Sequence, residues 1–306
     1  MPSVIPAAVR DWIAASGFGS VRVDTPDGAL HALNAGPHDA PAMLFVHGNP
    51  TWSYHWRAMV ASLAQTHRCV AVDHLGCGAS DRPGRLLRLA DRIDHLRRLV
   101  DELDLTRVTL VAQDWGGAIG LGAMLDRVDR LERVLLFNTG AFPPPFIPWR
   151  INVCRTPALG RIALQGMNLF SLAALRMTLA RRERLEPDVA AMYLAPYDSW
   201  ANRRAVYGFV DDIPTKPSHP TWGVLERIER RLPTLGGLPI RLVWGMRDWC
   251  FTPACLDRLL GQWPHAEAVR LADVGHWVVE DAPEEALTQL RDFVGVDASR
   301  MTGAPA

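Results

Sequence analysis

The sequence contains almost no lysine, no excess of charge of either sign and no closely spaced cysteine pair. Lys216 is the only lysine among 33 basic residues, and 33 acidic residues bring the formal net charge to zero. A chain without a basic excess lacks the electrostatic footprint of a nucleic-acid-binding protein, so we expect no nucleic-acid partner. Hydrophobic residues make up 48% of the 306 residues, which is enough for a sizeable globular core.

The five cysteines are scattered along the chain and form no Cys-x-x-Cys motif. Such a set predicts neither a disulfide framework nor a zinc site and is typical of a reducing compartment. Residues 1–21 lack a continuous apolar segment, so no signal peptide is expected. The longest mostly apolar stretch, residues 162–175, is shorter than the roughly 20 residues of a membrane-spanning helix. We therefore expect a cytoplasmic protein without a transmembrane segment.

Strand-like apolar runs recur along the chain with helical segments between them. They occupy residues 42–46, 68–72, 108–112, 133–137, 240–244 and, more weakly, 268–271. Residues 89–103 instead repeat apolar side chains at helical spacing, with Arg92, Arg97, Arg98 and Glu102 off the apolar face. Alternating strands and helices predict an α/β fold with a mostly parallel sheet flanked by helices on both faces.

This alternation stops after Asn138. A proline-rich segment, residues 142–148, is followed by helical patterns without strands to about Leu235, and a strand pattern resumes at residues 238–240. An all-helical insertion in this place is typical of a cap over an active site. We predict a core formed by residues 1–140 and 236–306 and a helical cap formed by residues 141–235.

Residues 113–117 (QDWGG) directly follow one of the buried strand-like runs. The small residues two positions before and after Asp114 are typical of a nucleophile elbow, the sharp strand-to-helix turn that exposes one side chain. Because an aspartate replaces the usual serine or cysteine, the covalent intermediate would be an ester or anhydride of the Asp114 carboxylate.

Three more motifs follow strand-like runs: HGNP at residues 47–50, WGMRD at residues 244–248, and Gly275 with His276. Open α/β sheets bind ligands at the carboxyl ends of their strands, where these motifs are predicted to lie. The order Asp114, Asp248, His276 matches the nucleophile, acid and histidine order of α/β-hydrolases.

The chemistry of each side chain suggests its role. Asp114 has to stay ionised to attack, His276 takes a proton from water or gives one to a leaving group, and Asp248 orients His276. Asn49 and the indole N–H of Trp115 are donors that can hold a leaving halide or carboxylate.

Structural roles are the alternative for each of these residues. The two aspartates could serve as turn or N-cap residues, the histidine and tryptophan as packed core residues, and Asn49 as a turn former before Pro50. His47 is interpreted as a structural residue, and Asp73 as a residue that braces its loop.

Three motifs together resemble the haloalkane dehalogenase group of α/β-hydrolases: residues 47–57 (HGNPTWSYHWR), 73–81 (DHLGCGASD) and 113–117. The resemblance covers nearly the whole chain outside the cap. It implies an α/β-hydrolase fold, with a mostly parallel sheet and an all-helical cap inserted after the sixth strand.

The roles in that family fall on Asp114 as nucleophile, His276 as base, and Asn49 with Trp115 as anion stabilisers. Some of these enzymes carry the acid after the sixth strand. This chain has Asn138 and Thr139 there, so the resemblance assigns the acid to Asp248.

The cap narrows the resemblance. Residues 147–155 (IPWRINVCR), 193–203 (YLAPYDSWANR) and 209–214 (FVDDIP) are similar to the β-lactone decarboxylases of bacterial long-chain olefin biosynthesis. Those lyases convert a cis-3-alkyl-4-alkyloxetan-2-one, a lipid-derived small molecule, into a cis-alkene and carbon dioxide. The resemblance implies no cofactor and no metal, and a cytoplasmic complex with the β-lactone synthetase and reductase of the same pathway.

The residues do not decide which carbon of a β-lactone Asp114 attacks, because both the carbonyl carbon and the alkyl C–O carbon are electrophilic. An apolar stretch in the cap lines a channel for two alkyl chains or forms ordinary cap core; it comprises Leu164, Met167, Leu169, Phe170, Leu172 and Leu175.

Three other functions compete with this prediction. A haloalkane dehalogenase shares every core residue named above. An epoxide hydrolase also uses an aspartate elbow and needs cap tyrosines as acids, for which Tyr193, Tyr197 and Tyr207 are candidates. A non-enzymatic binding or scaffold subunit is the third alternative, but it would not need Asp114, Asp248 and His276 together.

Overall fold

The structure, a computed structural model, describes residues 5–156 and 158–296, and its centre is a single eight-stranded sheet. The strand bounds are β1 Gly19–Thr25, β2 Gly28–Ala35, β3 Ala42–Val46, β4 Arg68–Asp73, β5 Val108–Asp114, β6 Leu131–Thr139, β7 Ile240–Gly245 and β8 Glu267–Leu271. The spatial order is β1-β2-β4-β3-β5-β6-β7-β8. The β1–β2 and β2–β4 pairs are antiparallel, and the other neighbouring pairs are parallel. The predicted mostly parallel sheet is confirmed.

The helices lie on the two faces of the sheet and above its carboxyl edge. In the core they are α1 Ala7–Ala15, α2 Arg57–Leu63, α3 Leu89–Glu102, α4 Trp115–Met124, α11 Pro253–Gln262, α12 Val278–Asp281 and α13 Pro283–Val294. Between β6 and β7 they are α5 Trp149–Cys154, α6 Leu159–Arg161, α7 Leu169–Met177, α8 Pro187–Leu194, α9 Arg204–Asp211 and α10 Pro220–Arg231. A π-helical segment, Ile162–Gly166, joins α6 to α7.

The central strands form because their runs are apolar on both sides of the pleat. In β3, Leu44 and Val46 point into the hydrophobic cluster on one face of the sheet, whereas Met43 and Phe45 point into the cluster on the other. Side chains alternate between faces along a strand, so an unbroken apolar run can be buried only in a sheet covered on both faces. The two-sided covering predicted from the sequence is therefore confirmed.

The β1–β2 hairpin is absent from the sequence prediction. β1 lies at the edge of the sheet with most of its residues exposed or half-buried. Its mixed polar and apolar residues, including Ser20, Arg22 and Asp24, suit a half-solvated antiparallel edge and give no apolar run to detect.

Helix α3 has the predicted apolar face but differs at Arg92. Arg97, Arg98 and Glu102 lie off that face as expected, whereas Arg92 is buried. Its guanidinium stacks 3.5 Å from the ring centroid of Phe209 in α9, and burial lowers its pKa to about 10. The expectation that Arg92 lies off the apolar face does not predict its burial, which arises because the cap covers this side of α3.

Between β6 and β7 the described residues form helices and turns without a strand. This is the cap inserted after the sixth strand; its boundaries at residues 141 and 235 stay a prediction. No helix within residues 5–156 and 158–296 combines the length and apolarity needed to cross a membrane. All five cysteines are free.

Candidate active site

Asp114 occupies a sharp turn between β5 and α4. Its backbone has a φ of 54° and a ψ of −132°, a combination that costs a non-glycine residue free energy and persists only where its surroundings enforce it. Gly116 makes this turn possible, because a Cβ at that position would overlap the carbonyl of Val46 at the end of β3. The Thr139 hydroxyl at the end of β6 donates to the Asp114 carbonyl. The predicted elbow geometry is therefore present.

The Asp114 carboxylate is mostly buried but reaches solvent, with 14% of its side chain exposed. Its Oδ1 accepts a hydrogen bond of 2.8 Å from the backbone N–H of Asn49. Its Oδ2 lies 3.4 Å from Nε2 of His276. Gly48 is required beside it, since a Cβ there would collide with the Asp114 carboxylate. The Asn49 N–H and the His276 ring therefore face the two carboxylate oxygens of Asp114.

His276 and Asp248 form a buried pair next to Asp114. The ring donates through Nδ1 to Oδ2 of Asp248 over 2.7 Å. The other carboxylate oxygen of Asp248 accepts from the backbone N–H groups of Cys250 and Phe251, at 2.7 and 3.1 Å. Asp248 therefore serves as a turn residue and as the partner of His276 at the same time.

The charge state of His276 follows from these neighbours. Burial by itself lowers its pKa, but the charge of Asp248 and the hydrogen bond and charge of Asp114 raise the pKa to about 10. The ring is therefore an imidazolium at neutral pH. A proton on Nε2 then faces the Asp114 carboxylate, and the ring becomes a base only after Asp114 loses its charge.

The backbone of His276 is held by residues for which the sequence analysis predicts no role. The Gln113 side chain donates to the His276 carbonyl and accepts from His55 at 2.6 Å. The Thr178 carbonyl, just past the end of α7, accepts from the N–H groups of His276 and Trp277 at 2.6 and 3.1 Å. Gln113 stands inside the quoted motif next to Asp114, but nothing in the motif indicates that its amide reaches this loop.

The two predicted anion stabilisers lie near Asp114. The Asn49 amide donates one hydrogen bond, of 3.2 Å, to the Val206 carbonyl of α9, and an amide nitrogen carries two hydrogens. Trp115 packs against Phe209, with ring centroids 5.9 Å apart. Asn49 and Trp115 both lie on a cavity wall that also contains Asp114. Their role toward an anion stays a prediction.

The two residues interpreted as structural have structural contacts. His47 is fully buried, bonds to the Gly48 carbonyl at 2.7 Å, and burial lowers its pKa to about 4. Asp73 accepts from the N–H groups of Ser53 and Ala79, at 2.7 and 2.9 Å, and so braces its loop as expected.

Two apolar cavities meet at Asp114. The first, here called the proline-lined cavity, has a volume of about 870 Å³ with its open mouth included, and its walls include Phe142, Pro144, Pro148, Val210, Leu225 and Phe251. The second, the cap cavity, measures about 1430 Å³ on the same basis; its walls include Leu159, Leu164, Leu169, Ala173, Met177 and Trp249. Asn49, Asp114, Ile151, Phe170 and Cys250 belong to both walls.

The residues of the apolar cap stretch named in the sequence analysis lie in different environments: the cavity wall, the core and the solvent. Leu164, Leu169 and Phe170 line the cap cavity as one alternative predicted. Leu175 packs against the hydrophobic core, which was the other alternative. Met167 and Leu172 do neither and are exposed.

Comparison with known proteins agrees with this architecture. The family model for the alpha/beta hydrolase fold matches residues 41–156. Two cis-3-alkyl-4-alkyloxetan-2-one decarboxylases are similar: that of Shewanella oneidensis is 37% identical, covering 87% of this chain and 85% of that protein. That of Xanthomonas campestris pv. campestris is 36% identical and covers 90% and 96%.

Among solved structures, haloalkane dehalogenase DatA from Agrobacterium tumefaciens C58 superposes with a TM-score of 0.82 at 26% identity, covering 92% of this chain and 98% of that one. Its fold is thus shared over nearly the full length of both chains. The relatives, the elbow and the helical cap lead to one assignment: this chain belongs to the haloalkane dehalogenase-like α/β-hydrolases, in the group that includes the cis-3-alkyl-4-alkyloxetan-2-one decarboxylases.

Proposed function

We propose that this protein is a lyase that decarboxylates a cis-3-alkyl-4-alkyloxetan-2-one to a cis-alkene and carbon dioxide in long-chain olefin biosynthesis. The observation that carries the proposal is the meeting of two apolar cavities at Asp114. A β-lactone with alkyl chains on two neighbouring ring carbons needs two such spaces beside its reacting atoms. The two named decarboxylases, at 36–37% identity, support the same substrate class.

Mass balance favours attack of Asp114 on the alkyl-substituted ring carbon that is bonded to the ring oxygen, rather than on the carbonyl carbon. The carboxylate forms a C–O bond there, the ring C–O bond breaks, and the product is an Asp114 alkyl ester with a free carboxylate on the neighbouring carbon. Loss of carbon dioxide then supplies the electron pair of the double bond, and the Asp114 carboxylate leaves. Atoms and charge balance without water or an external proton. Attack at the carbonyl would give an anhydride that has no comparable path to an alkene.

The same order of reaction steps preserves the cis arrangement of the two alkyl groups. Attack opposite to the ring oxygen places the Asp114 ester anti to the new carboxylate. Departure of both groups in that anti geometry leaves the alkyl chains on the same side of the double bond. We therefore expect cis substrate to give cis product.

The remaining site residues stabilise the negative charges that form during the reaction. The His276 imidazolium, 3.4 Å from the Asp114 carboxylate, stabilises that group as it leaves the carbon. Its proton stays in place because Asp248 holds the ring at Nδ1. Asn49 and Trp115 donate to the carboxylate released by ring opening, and the apolar walls favour its conversion to uncharged carbon dioxide.

Haloalkane dehalogenation is the second candidate, because the same nucleophile and histidine serve it. In that reaction a water molecule attacks the carboxyl carbon of the Asp114 ester, with neutral His276 as the base. The oxygen of that water molecule then becomes part of the Asp114 carboxylate. A haloalkane with a single chain gives no account of the second cavity.

None of the three candidate tyrosines is available as the acid of an epoxide hydrolase. The Tyr193 hydroxyl donates to Glu280 at 2.6 Å, that of Tyr197 to the Thr51 carbonyl at 2.9 Å, and that of Tyr207 lies 3.4 Å from Asp211. None of these tyrosines belongs to the wall of either cavity.

A paired assay in water labelled with oxygen-18 tests the proposal. Purified protein is incubated with a synthetic cis-dialkyl-β-lactone or with 1-halobutane, and alkene, halide and the mass of the Asp114 peptide are followed. Alkene without label in Asp114 is the expected result. Halide with label in Asp114 and no alkene would identify a dehalogenase instead, and label accompanying alkene would contradict the water-free route.

The cytoplasmic location and the complex with a β-lactone synthetase and a reductase stay predictions. Tagged protein purified from the native cells should bring both enzymes with it, and their absence after mild cross-linking would contradict the complex.

A further inference from the structure

The large apolar side chains that remain exposed are concentrated on one part of the cap. Among the described residues, every exposed large hydrophobic side chain except Val128 lies between residues 146 and 200. Trp149 and Leu159 are each 68% exposed, and Met167 is 61% exposed. We call the exposed apolar side chains of residues 146–172, together with Trp200, the cap apolar surface. A single-chain soluble fold rarely leaves so many adjacent large apolar groups in water unless the surface binds something.

Charge on this part of the chain has one sign. No aspartate or glutamate occurs from Arg133 to Arg182, although the whole chain is neutral. Arg150, Arg161 and Arg176 are exposed in the helices of the surface, and within residues 5–156 and 158–296 none of them forms an ion pair. A surface that combines tryptophan, aliphatic side chains and unpaired arginines is complementary to the headgroup region of an anionic bilayer.

The surface is also continuous with the cap cavity. Trp149, Val153, Leu159 and Leu169 are exposed to solvent and also form part of the cavity wall. An apolar molecule that leaves a bilayer at this point enters the cavity, at whose inner end Asp114 lies, without crossing water.

We propose that the cap apolar surface docks on bilayers that contain anionic lipid, with the mouth of the cap cavity against the lipid. The identity of the molecule taken up rests on the function proposed above, namely a lactone with two alkyl chains. The docking itself rests on the exposed side chains and the arginines.

Vesicle flotation of the full chain without substrate tests the docking. Vesicles of phosphatidylcholine alone are compared with vesicles that contain phosphatidylglycerol as well. We expect binding to the anionic vesicles, weaker binding in high salt, and little binding to the neutral ones, because each arginine near an anionic surface contributes roughly fivefold in affinity. Absence of flotation with anionic vesicles, or a stable dimer that keeps the protein off them, would overturn the proposal.

Ile162→Ser, Met167→Ser and Leu172→Ser combined remove exposed apolar groups that lie outside both cavity walls. We expect this triple variant to lose flotation while it retains the far-UV spectrum and thermal stability of the wild type. The matched control is Val128→Ser, which removes an exposed apolar group outside the cap apolar surface and should float as the wild type does. Equal flotation of the triple variant and the control would refute the assigned surface.

A double variant, Arg161→Gln with Arg176→Gln, tests the charge. Its affinity for anionic vesicles should fall by roughly 30-fold at low salt, at about fivefold for each arginine, and unchanged affinity would refute the electrostatic part. Because flotation needs no lactone, a protein that floats but makes no alkene would refute the proposed function and leave the docking intact. A protein that makes alkene but does not float would refute the docking and leave the proposed function intact.

Discussion

Replacing His276 by glutamine should change how the stability of the protein depends on pH. In the folded protein Asp248 and Asp114 raise the pKa of His276 from 6.5 to about 10. A raised pKa means that the folded state binds the proton more tightly than the unfolded state. The resulting stabilisation is fully present below pH 6.5 and is lost as the pH rises toward about 10.

The size of the effect follows from one proton. Between those limits the free energy of unfolding of the wild type should fall by about 1.4 kcal/mol per pH unit relative to His276→Gln. From pH 7 to pH 9 the difference between the free energies of unfolding of the two proteins should therefore shrink by about 3 kcal/mol. The His276 ring that causes this change is only 5% exposed.

Urea unfolding followed by circular dichroism at pH 6, 7, 8 and 9 measures this difference. The control is His38→Gln, which removes an imidazole whose side chain is 74% exposed and so accounts for the loss of a histidine as such. A wild-type minus His276→Gln difference that is the same at every pH would show that folding does not raise the pKa of His276, and the imidazolium argument would fail.

Three further changes test the site. Asp114→Asn should reduce alkene formation by at least about 10³-fold without loss of folding, because the amide cannot act as the nucleophile; residual turnover within tenfold of the wild type, by gas chromatography, would exclude a covalent role. Asp248→Asn removes the charge that raises the pKa of His276, so alkene formation should be low at pH 8 and recover toward pH 6; recovery in the opposite direction would indicate a neutral base. Gly48→Ala places a methyl group against the Asp114 carboxylate and should abolish turnover, whereas Gly84→Ala, with nothing within 4 Å of the added Cβ, should leave activity and melting temperature unchanged.

The parts of the fold that the sequence predicts are those with an unambiguous local pattern. Residues 42–46, 108–112 and 240–244 are apolar runs, and each lies in a central parallel strand. The β1–β2 hairpin has no such run and was not found. The helical pattern of residues 89–103 does not predict the burial of Arg92, because it contains no information about the cap, and Phe209, more than a hundred residues away, buries it.

The residues of the site also divide into those that the sequence predicts and those that it does not. Asp114, Asp248 and His276 could be grouped in advance because they follow different strands of one parallel sheet, whose carboxyl ends share an edge. Gln113 and Thr178 could not, since one acts through a side-chain contact to a distant carbonyl and the other through its own backbone oxygen. A residue that contributes only its carbonyl can be of almost any type, so its sequence carries no signal.

The bonds around Thr178 couple the position of the cap to the position of His276. The Thr178 carbonyl accepts from two successive N–H groups of the His276 loop, and the neighbouring Met177 carbonyl accepts from the indole of Trp249 at 2.8 Å. The end of α7 is therefore tied to two of the loops that carry the site. A change in the cap that displaced this end would also displace the His276 ring relative to Asp114, so the cap contributes to the geometry of the charged pair as well as to the cavity walls.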